Sequence, residues 1–265
     1  LRAAGSRPAP AKMCVAIKVQ YNHAVFQEAA KDRTAALKGL AGKANKRVIV
    51  DLDTTFWGGV VGESGWRGIR LGGHDYVGEA FVYFQRRLKA LTERGVQLGI
   101  VSKNDESVAL EAIDRHPEMH LKRADFAGWR INWMDKAQNI VDLVDELNLG
   151  LDSVVFLDDN PAERARVSES LEEVLVPEWP VDPSEYGNAL VALKCFDTPS
   201  LGSDDRNRAR MYSAERERRE LRKTMSSPET WLNSLDMKVT VENLNLVNLP
   251  RVAQLLNKTN QMNMR

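Results

Sequence analysis

Three short apolar runs, Val48-Ile49-Val50, Val96 to Val101 (VQLGIV) and Val154 to Leu157 (VVFL), are separated by stretches with helical spacing. That alternation constrains the fold more than any other feature of the chain. Short runs with no polar alternation read as strands buried on both faces. The segments between them are long enough to cross over a sheet. Phe81 to Arg94 is closed by Gly95, Glu106 to His116 stops before Pro117, Trp133 to Leu147 is capped by Asn148 and Gly150, and Pro161 to Leu171 carries proline in its first turn. Val174 to Val176 reads as a fourth strand. Strands alternating with helices of this length predict an α/β fold, a doubly wound parallel sheet with helices on both faces. In such sheets the functional crevice lies at the carboxyl ends of the strands.

At 265 residues the chain can bury a full core, and three segments are expected. Residues 1–45 form a leader, rich in Ala and Pro, with a helix over Asn22 to Leu40. Residues 46–176 form the core. Residues 177–265 form an accessory α+β region containing a charged helix from Gly202 to Met225, an exposed strand at Met237 to Glu242 and a short helix at Leu249 to Leu256. A start at Leu1 without methionine leads to the expectation of flanking domains. The 37 basic residues balance 37 acidic ones, so bulk charge gives no support to nucleic-acid binding. Two distant cysteines, Cys14 and Cys195, indicate neither a disulfide framework nor a zinc site and fit a reducing, cytoplasmic compartment. No run approaches the ~20 apolar residues that span a bilayer.

The strand ends carry the chemistry. The first run ends in Asp51-Leu52-Asp53-Thr54-Thr55, the second in Ser102-Lys103-Asn104-Asp105 and the third in Asp158-Asp159-Asn160, while Lys136 lies near the start of the preceding helix. Alternate strand residues point the same way, so Asp51 and Asp53 can both face the crevice while Leu52 turns inward. Converging carboxylates repel unless a cation neutralises them, and hard oxygen donors select Mg²⁺. Taken one at a time these residues have plainer readings: a polar turn for the acidic pair, a strand-end cap for Ser102, a solvated helix residue for Lys136, and a helix N-cap for Asp158.

DxDxT, then a strand ending in Ser, then a lysine, then an apolar strand ending in Asp-Asp resemble the four ordered motifs of the haloacid dehalogenase (HAD) superfamily. The resemblance implies a HAD-like Rossmannoid core with a small flap cap, and a covalent phosphatase mechanism. Asp51 resembles the nucleophile and Asp53 the general acid and base. Thr54, Ser102 and Asn104 would contact the phosphoryl group, and Lys136 would neutralise it. Asp51, Asp53 (through its backbone carbonyl) and Asp158 would hold Mg²⁺, with Asp159 beside them. Gly58 to Gly62 would form a hairpin-like flap over the nucleophile.

The words DLDTTFWGGVVGESG, GIVSKNDE, INWMDKAQNI, LDSVVFLDDNPAERARV, VPEWPVDP, CFDTPSL and QLLNKTNQMN resemble the FkbH-like subgroup from about Lys46 onward. That subgroup takes 1,3-bisphosphoglycerate, removes phosphate and loads a glyceryl or related unit onto an acyl carrier protein in polyketide biosynthesis. Membership would imply a larger synthase polypeptide or assembly, and a cysteine to carry the acyl group, for which Cys195 is the candidate. Lys103 and Arg130 would bind the second phosphate or the carboxylate. Thr54 stands where the subgroup usually has Asn. A generic HAD phosphatase without acyl transfer is the alternative.

Overall fold

Strand formation follows the apolar runs. A computed structural model of the chain describes residues 23–41, 44–147, 149–197 and 241–258. In it β1 (Arg47–Val50), β2 (Gln97–Ser102), β3 (Phe126–Ile131) and β4 (Val154–Leu157) form one parallel sheet in the order β3-β2-β1-β4. Val50 lies opposite Ile100 on one side and Leu157 on the other, so β1 and β4 end level and β2 runs two residues further.

The helices are α1 (His23–Leu40), α2 (Val61–Gly68), α3 (Tyr76–Glu93), α4 (Glu106–Arg115), α5 (Lys136–Glu146), α6 (Pro161–Ser170) and α7 (Tyr186–Ala192), with α8 (Leu249–Lys258) further on. Period-two alternation divides the strand side chains between two cores. Val48, Val50, Leu98, Ile100, Val155 and Leu157 pack on one face with Phe84 and Leu88 of α3, Ile113 of α4 and Leu190 of α7. On the opposite face Ile49, Val101, Val154 and Phe156 meet Ile140, Leu143 and Val144 of α5 and Val167 of α6. Helices therefore cover both faces, as the alternation predicts.

Several boundaries move for local reasons. The third helix starts at Tyr76, five residues before the apolar stripe, because the Asp75 carboxylate accepts the Gly78 amide as its cap. Likewise Asp135 accepts the Gln138 amide, so α5 starts at Lys136 and not at Trp133. β3 is a strand that the apolar runs do not reveal, since Gly128 and Arg130 interrupt its sequence. Val174 to Val176 contributes only a single bridge, Val155 to Leu175. The expected hairpin over Gly58 to Gly62 is instead a loop closed by paired backbone bonds between Gly58 and Arg70 (2.9 and 2.8 Å), with α2 inside it. Gly65 at φ 64° kinks α2, and no large cap is built from this segment.

The chain divides into two compact units, residues 1–218 and 219–265. In the first unit the buried core continues past Val176: Trp179, Tyr186, Leu190 and Phe196 belong to the same cluster as β1 and β2. In the second, the described part is a turn in which the Asn248 and Asn245 side chains accept backbone amides, followed by α8. The leader before residue 23, the charged helix from 202 to 225 and most of the strand proposed at 237 to 242 lie outside the described residues. So does Asn148, the proposed cap. No helix among the described residues is long and apolar enough to cross a membrane.

Two glycines let α5 approach the sheet. A methyl group on Gly128 would sit 2.8 Å from Leu143 Cδ1, and one on Gly99 would sit 3.1 Å from Leu143 Cδ2. Overpacking of such a contact costs about 1–3 kcal/mol. Gly128→Val is therefore expected to lower the stability of the first unit by about that amount, measured by urea denaturation, with the far-UV spectrum retained.

Candidate active site

Asp51 directly follows β1, and its amide donates to the Leu157 carbonyl at 3.0 Å, which continues the sheet register by one residue. That bond sets the end of β1 beside the end of β4, where Asp158 follows Leu157. Lys136, the first residue of α5, enters between them. Its Nζ lies 3.0 Å from Asp51 Oδ1 and 2.6 Å from Asp158 Oδ2. All three side chains are buried: Lys136 is 4% exposed, Asp51 6% and Asp158 0%. The backbone amide of Asn160 donates to the other Asp158 oxygen at 2.8 Å.

Burial works against charge on each group. It raises the Asp51 carboxyl to about 7, opposed by Lys136 and reinforced by Asp158. Asp158 is raised by burial too, against the pull of Lys136. For Lys136 burial acts downward, yet Asp51 and Asp158 outweigh it and hold the amine above its ordinary value. One amine thus serves two carboxylates.

Asp159 completes an acidic trio. One ligand oxygen from each of Asp51, Asp158 and Asp159 lies within 4.8 Å of the other two. The Asp159 carboxylate is aimed by Thr55, a fully buried residue whose hydroxyl donates to Asp159 Oδ1 at 2.8 Å and accepts the Asp159 amide at 2.9 Å. Arg164 donates to the carbonyls of Asp158 and Asp159 at 2.9 and 2.8 Å and fixes the turn. Asp51 Oδ1 has no aligned hydrogen-bond donor although it is buried, because the Lys136 approach is an ion pair outside hydrogen-bond geometry. An oxygen-rich trio with an unsatisfied carboxylate oxygen fits a hard divalent cation.

Asp53 is held differently. Its Oδ1 accepts Trp57 Nε1 at 2.8 Å and the Val61 amide at 3.0 Å, and its Oδ2 accepts Asn104 Nδ2 at 3.0 Å. Val61 is the first residue of α2, so the carboxylate takes up an otherwise orphaned amide at that helix start. Its carboxylate lies outside the acidic trio; of the three residues expected to hold metal, Asp51 and Asp158 are in it, and Asp159 is the third member. Asn104, itself buried, also donates to Ser102 Oγ at 3.2 Å and ties Ser102 to Asp53.

Thr54 is exposed and has a left-handed backbone, φ 58°, unfavourable for a β-branched residue and tolerated by Asn. The Tyr186 hydroxyl donates to its carbonyl at 3.3 Å, and its own hydroxyl donates to the Asp53 carbonyl at 2.8 Å.

The remaining expected residues are not brought to the site on the same terms. Lys103 pairs with Glu163 at 2.5 Å. Arg130 turns along α5, donating to the Asp142 carbonyl and to Glu146 at the far end of that helix from Lys136. The expectation that it binds substrate is corrected accordingly. Cys195 is corrected as well. Its carbonyl accepts the amide of Asn45, which precedes β1, whereas Asp51 follows β1; six residues of extended chain span about 20 Å. Burial also pushes the Cys195 thiol up to about 12, and the neighbouring cation, Lys194, is committed to Glu28 and Asp32. Cys14 lies outside the described residues.

The phosphatase domain of a Bacteroides fragilis protein, solved as the N-terminal part of that protein in complex with Mg, is similar over 72% of this chain at 40% identity, with a TM-score of 0.69. The core has the haloacid dehalogenase fold. The chain spans about half, 51%, of that solved structure's length. Two more distant structures also match. A cobalt-bound deoxy-D-mannose-octulosonate 8-phosphate phosphatase from Haemophilus influenzae is 13% identical over 72% of this chain and 95% of its own, with a TM-score of 0.36. A hypothetical protein from Xanthomonas campestris is 16% identical over 71% and 94%, with a TM-score of 0.34. No protein-family model and no curated protein matches the chain.

Thr55, Trp57 and Arg164 are residues of this site to which motif reading gave no role in holding the carboxylates. Thr55 stands inside DxDxT and carries a signal; Trp57 and Arg164 carry none, since their bonds, to the Asp53 carboxylate and to the Asp158 and Asp159 carbonyls, depend on how the turns after β1 and β4 fold.

The raised Asp51 carboxyl makes a signed prediction. The folded state holds its proton up to about pH 7 while the unfolded chain releases it near 3.8, so its contribution is full below the lower value and lost as pH rises through the upper one. His116 and His120, both lowered by burial, act in the opposite sense, so the difference between wild type and Asp51→Asn is the useful quantity. In chelator-treated protein, the stability of wild type relative to Asp51→Asn is expected to fall between pH 4 and pH 8, measured by denaturant midpoints. A flat difference would remove the buried, proton-holding Asp51.

Proposed function

We propose that the chain is a Mg²⁺-dependent phosphatase of the HAD superfamily that works through an aspartyl-phosphate on Asp51. The observation that carries this reading is the buried Asp51 carboxylate, ion-paired to Lys136, beside Asp158 and Asp159 at level strand ends. Asp51, Asp158 and Asp159 would hold Mg²⁺, the metal present in the Bacteroides fragilis structure. When bound, the ion supplies positive charge to the phosphoryl oxygens and lets the neighbouring carboxylates ionise.

An Asp51 oxygen attacks phosphorus, and the bond from phosphorus to the leaving oxygen breaks with its electron pair on that oxygen. Asp53 delivers a proton to the leaving oxygen. It then takes a proton from a water molecule, which attacks phosphorus and frees Asp51 and inorganic phosphate. Ser102 and Lys136 bind the equatorial oxygens as charge develops. Asn104 keeps Ser102 and Asp53 in register, and Asp53 Oδ2, with a single donor, is the oxygen freer to move a proton.

The finer reading is the FkbH-like one: 1,3-bisphosphoglycerate as donor and the phosphopantetheine thiol of an acyl carrier protein as acceptor, in the cytoplasm and within a larger polyketide-forming assembly. The sequence words quoted above support it. So does a crevice rim that exposes Trp133 (75%) and Met134 (58%) next to Lys136, a surface suited to an amide-bearing aliphatic arm. With Cys195 at the other end of the sheet, the carrier's own thiol attacks the acyl carbon, phosphate leaves with the electron pair of the C–O bond, and the thiol proton passes to that phosphate. No enzyme thioester is required.

Phosphate release from acetyl phosphate with Mg²⁺ tests the first reading. Asp51→Asn is expected to lower it on the order of 10⁴-fold or more, and chelation to abolish it reversibly. Undiminished release in Asp51→Asn would overturn the nucleophile. Incubation with 1,3-bisphosphoglycerate and a phosphopantetheinylated carrier protein tests the second. Intact-mass analysis is expected to find acylated carrier with both wild type and Cys195→Ala, and the second reading falls if wild type leaves the carrier unmodified.

A further inference from the structure

We propose that Asn132 and Asn139 act together as positioning residues that hold Lys136 against the phosphoryl site. The inference rests on the phosphatase reading and deepens it. Asn139 is 1% exposed and stands one turn beyond Lys136, on the same face of α5. A primary amide so deeply buried must be satisfied by hydrogen bonds or it destabilises the helix that carries it. Its partner is another amide. Asn139 Nδ2 donates to Asn132 Oδ1 at 2.8 Å, and Asn132 Nδ2 donates back to Asn139 Oδ1 at 3.2 Å.

Asn132 is fixed in turn. Its backbone amide donates to the Ser102 carbonyl at 3.1 Å, and its Oδ1 also accepts the Met134 amide at 2.9 Å. A continuous set of hydrogen bonds therefore runs from Ser102, at the end of β2, through Asn132 to α5, and α5 begins with Lys136. Both groups that meet the phosphoryl oxygens are attached to this strap, one at each end.

Lys136 needs such a fixture. Its side chain is long and rich in rotamers, and it sits in the first turn of its helix. The Asp135 cap, itself held by Arg166 at 3.0 Å, secures the helix start along its own axis. The amide pair does something the cap does not: it fixes the helix laterally against the end of β2. Misplacement of a charged group by about 1 Å can cost ~10²-fold in rate.

The test is a coupling measurement. Asn139→Ala is made in wild type and in Lys136→Gln, a background that keeps a donor between the two carboxylates, with folding followed by thermal melting. Two quantities are read: kcat for acetyl phosphate and affinity for inorganic phosphate, both with Mg²⁺. In wild type, Asn139→Ala is expected to lower kcat about 10- to 100-fold and to weaken phosphate binding. In Lys136→Gln the same substitution is expected to change either quantity less than about twofold, because the group it positions is gone. Asn132→Ala should reproduce the pattern. Equal fold losses in the two backgrounds, or no loss in wild type, would overturn the proposal and leave the amide pair as a fold staple. Phosphate binding needs no turnover, so a protein that binds phosphate with this coupling yet releases none from acetyl phosphate would sink the phosphatase reading and uphold the strap.

Discussion

One buried amine between two buried carboxylates organises this site. The Lys136 Nζ is within 3.0 Å of Asp51 and 2.6 Å of Asp158, and Asp159 brings a third carboxylate within 4.8 Å of the cluster. With all groups ionised, three negative charges face one positive charge. In a low-dielectric interior that imbalance costs several kcal/mol per unpaired ion. The protein meets it in part by holding protons, which is why burial raises both Asp51 and Asp158. With the carboxylates fully ionised, a divalent cation would balance the net charge of two. Stability and the proposed reactivity therefore make opposite demands on the same atoms: the state that is most comfortable without a cation is the one in which the Asp51 carboxyl, the proposed nucleophile, carries a proton.

The rest of the fold is arranged to keep these charges together. Level register of β1 with β2 and β4 sets Asp51, Ser102 and Asp158 at one end of the sheet. Gly99 and Gly128 admit Leu143, which lets α5 lie close enough for Lys136 to enter. Asp53, by contrast, belongs to the loop that leaves β1. Its three hydrogen bonds come from Trp57, Val61 and Asn104, two of them within that loop, so its position depends on the path of the chain from Thr54 to Val61. The left-handed Thr54 is where this path turns, and the Tyr186 hydroxyl from α7 holds the turn by its carbonyl. A segment beyond Val176 thus reaches the loop that carries Asp53, through an aromatic cluster in which Tyr186 packs on Phe84 and Trp179.

What could be read from the residues alone divides along physical lines. β1, β2 and β4 are buried on both faces and announce themselves as apolar runs. β3 does not, because this edge strand is only half-buried at Trp129 and Arg130, and because α5 requires Gly128 where a run would have a branched residue. The acidic pairs and Ser102 were legible through their places after strands, which topology makes neighbours. Asn132 and Asn139 were not, since a reciprocal amide pair leaves no spacing pattern in a sequence. Arg130 and Cys195 misled for a related reason: charge and nucleophilicity are visible in a sequence, whereas the direction of a side chain and the end of the sheet on which it lies are not.

The location of Cys195 bears on any chemistry beyond phosphate release. An acyl group carried on that thiol would have to travel the length of β1, through a core in which Val48 and Val50 are fully buried. The thiol would also have to ionise where burial has pushed it to about 12. Both costs disappear if the acceptor thiol arrives from outside, at the strand ends, on a flexible arm. Among the described residues the loop after β1 is closed only by the Gly58 to Arg70 bridge and the kinked α2, which leaves that end of the sheet without a large cap. A partner that brought its own nucleophile to this charged, cation-demanding floor would compete there with water. Selection between hydrolysis and transfer would then depend on how fully the incoming arm covers the exposed rim at Trp133 and Met134, and not on a second nucleophile within this chain.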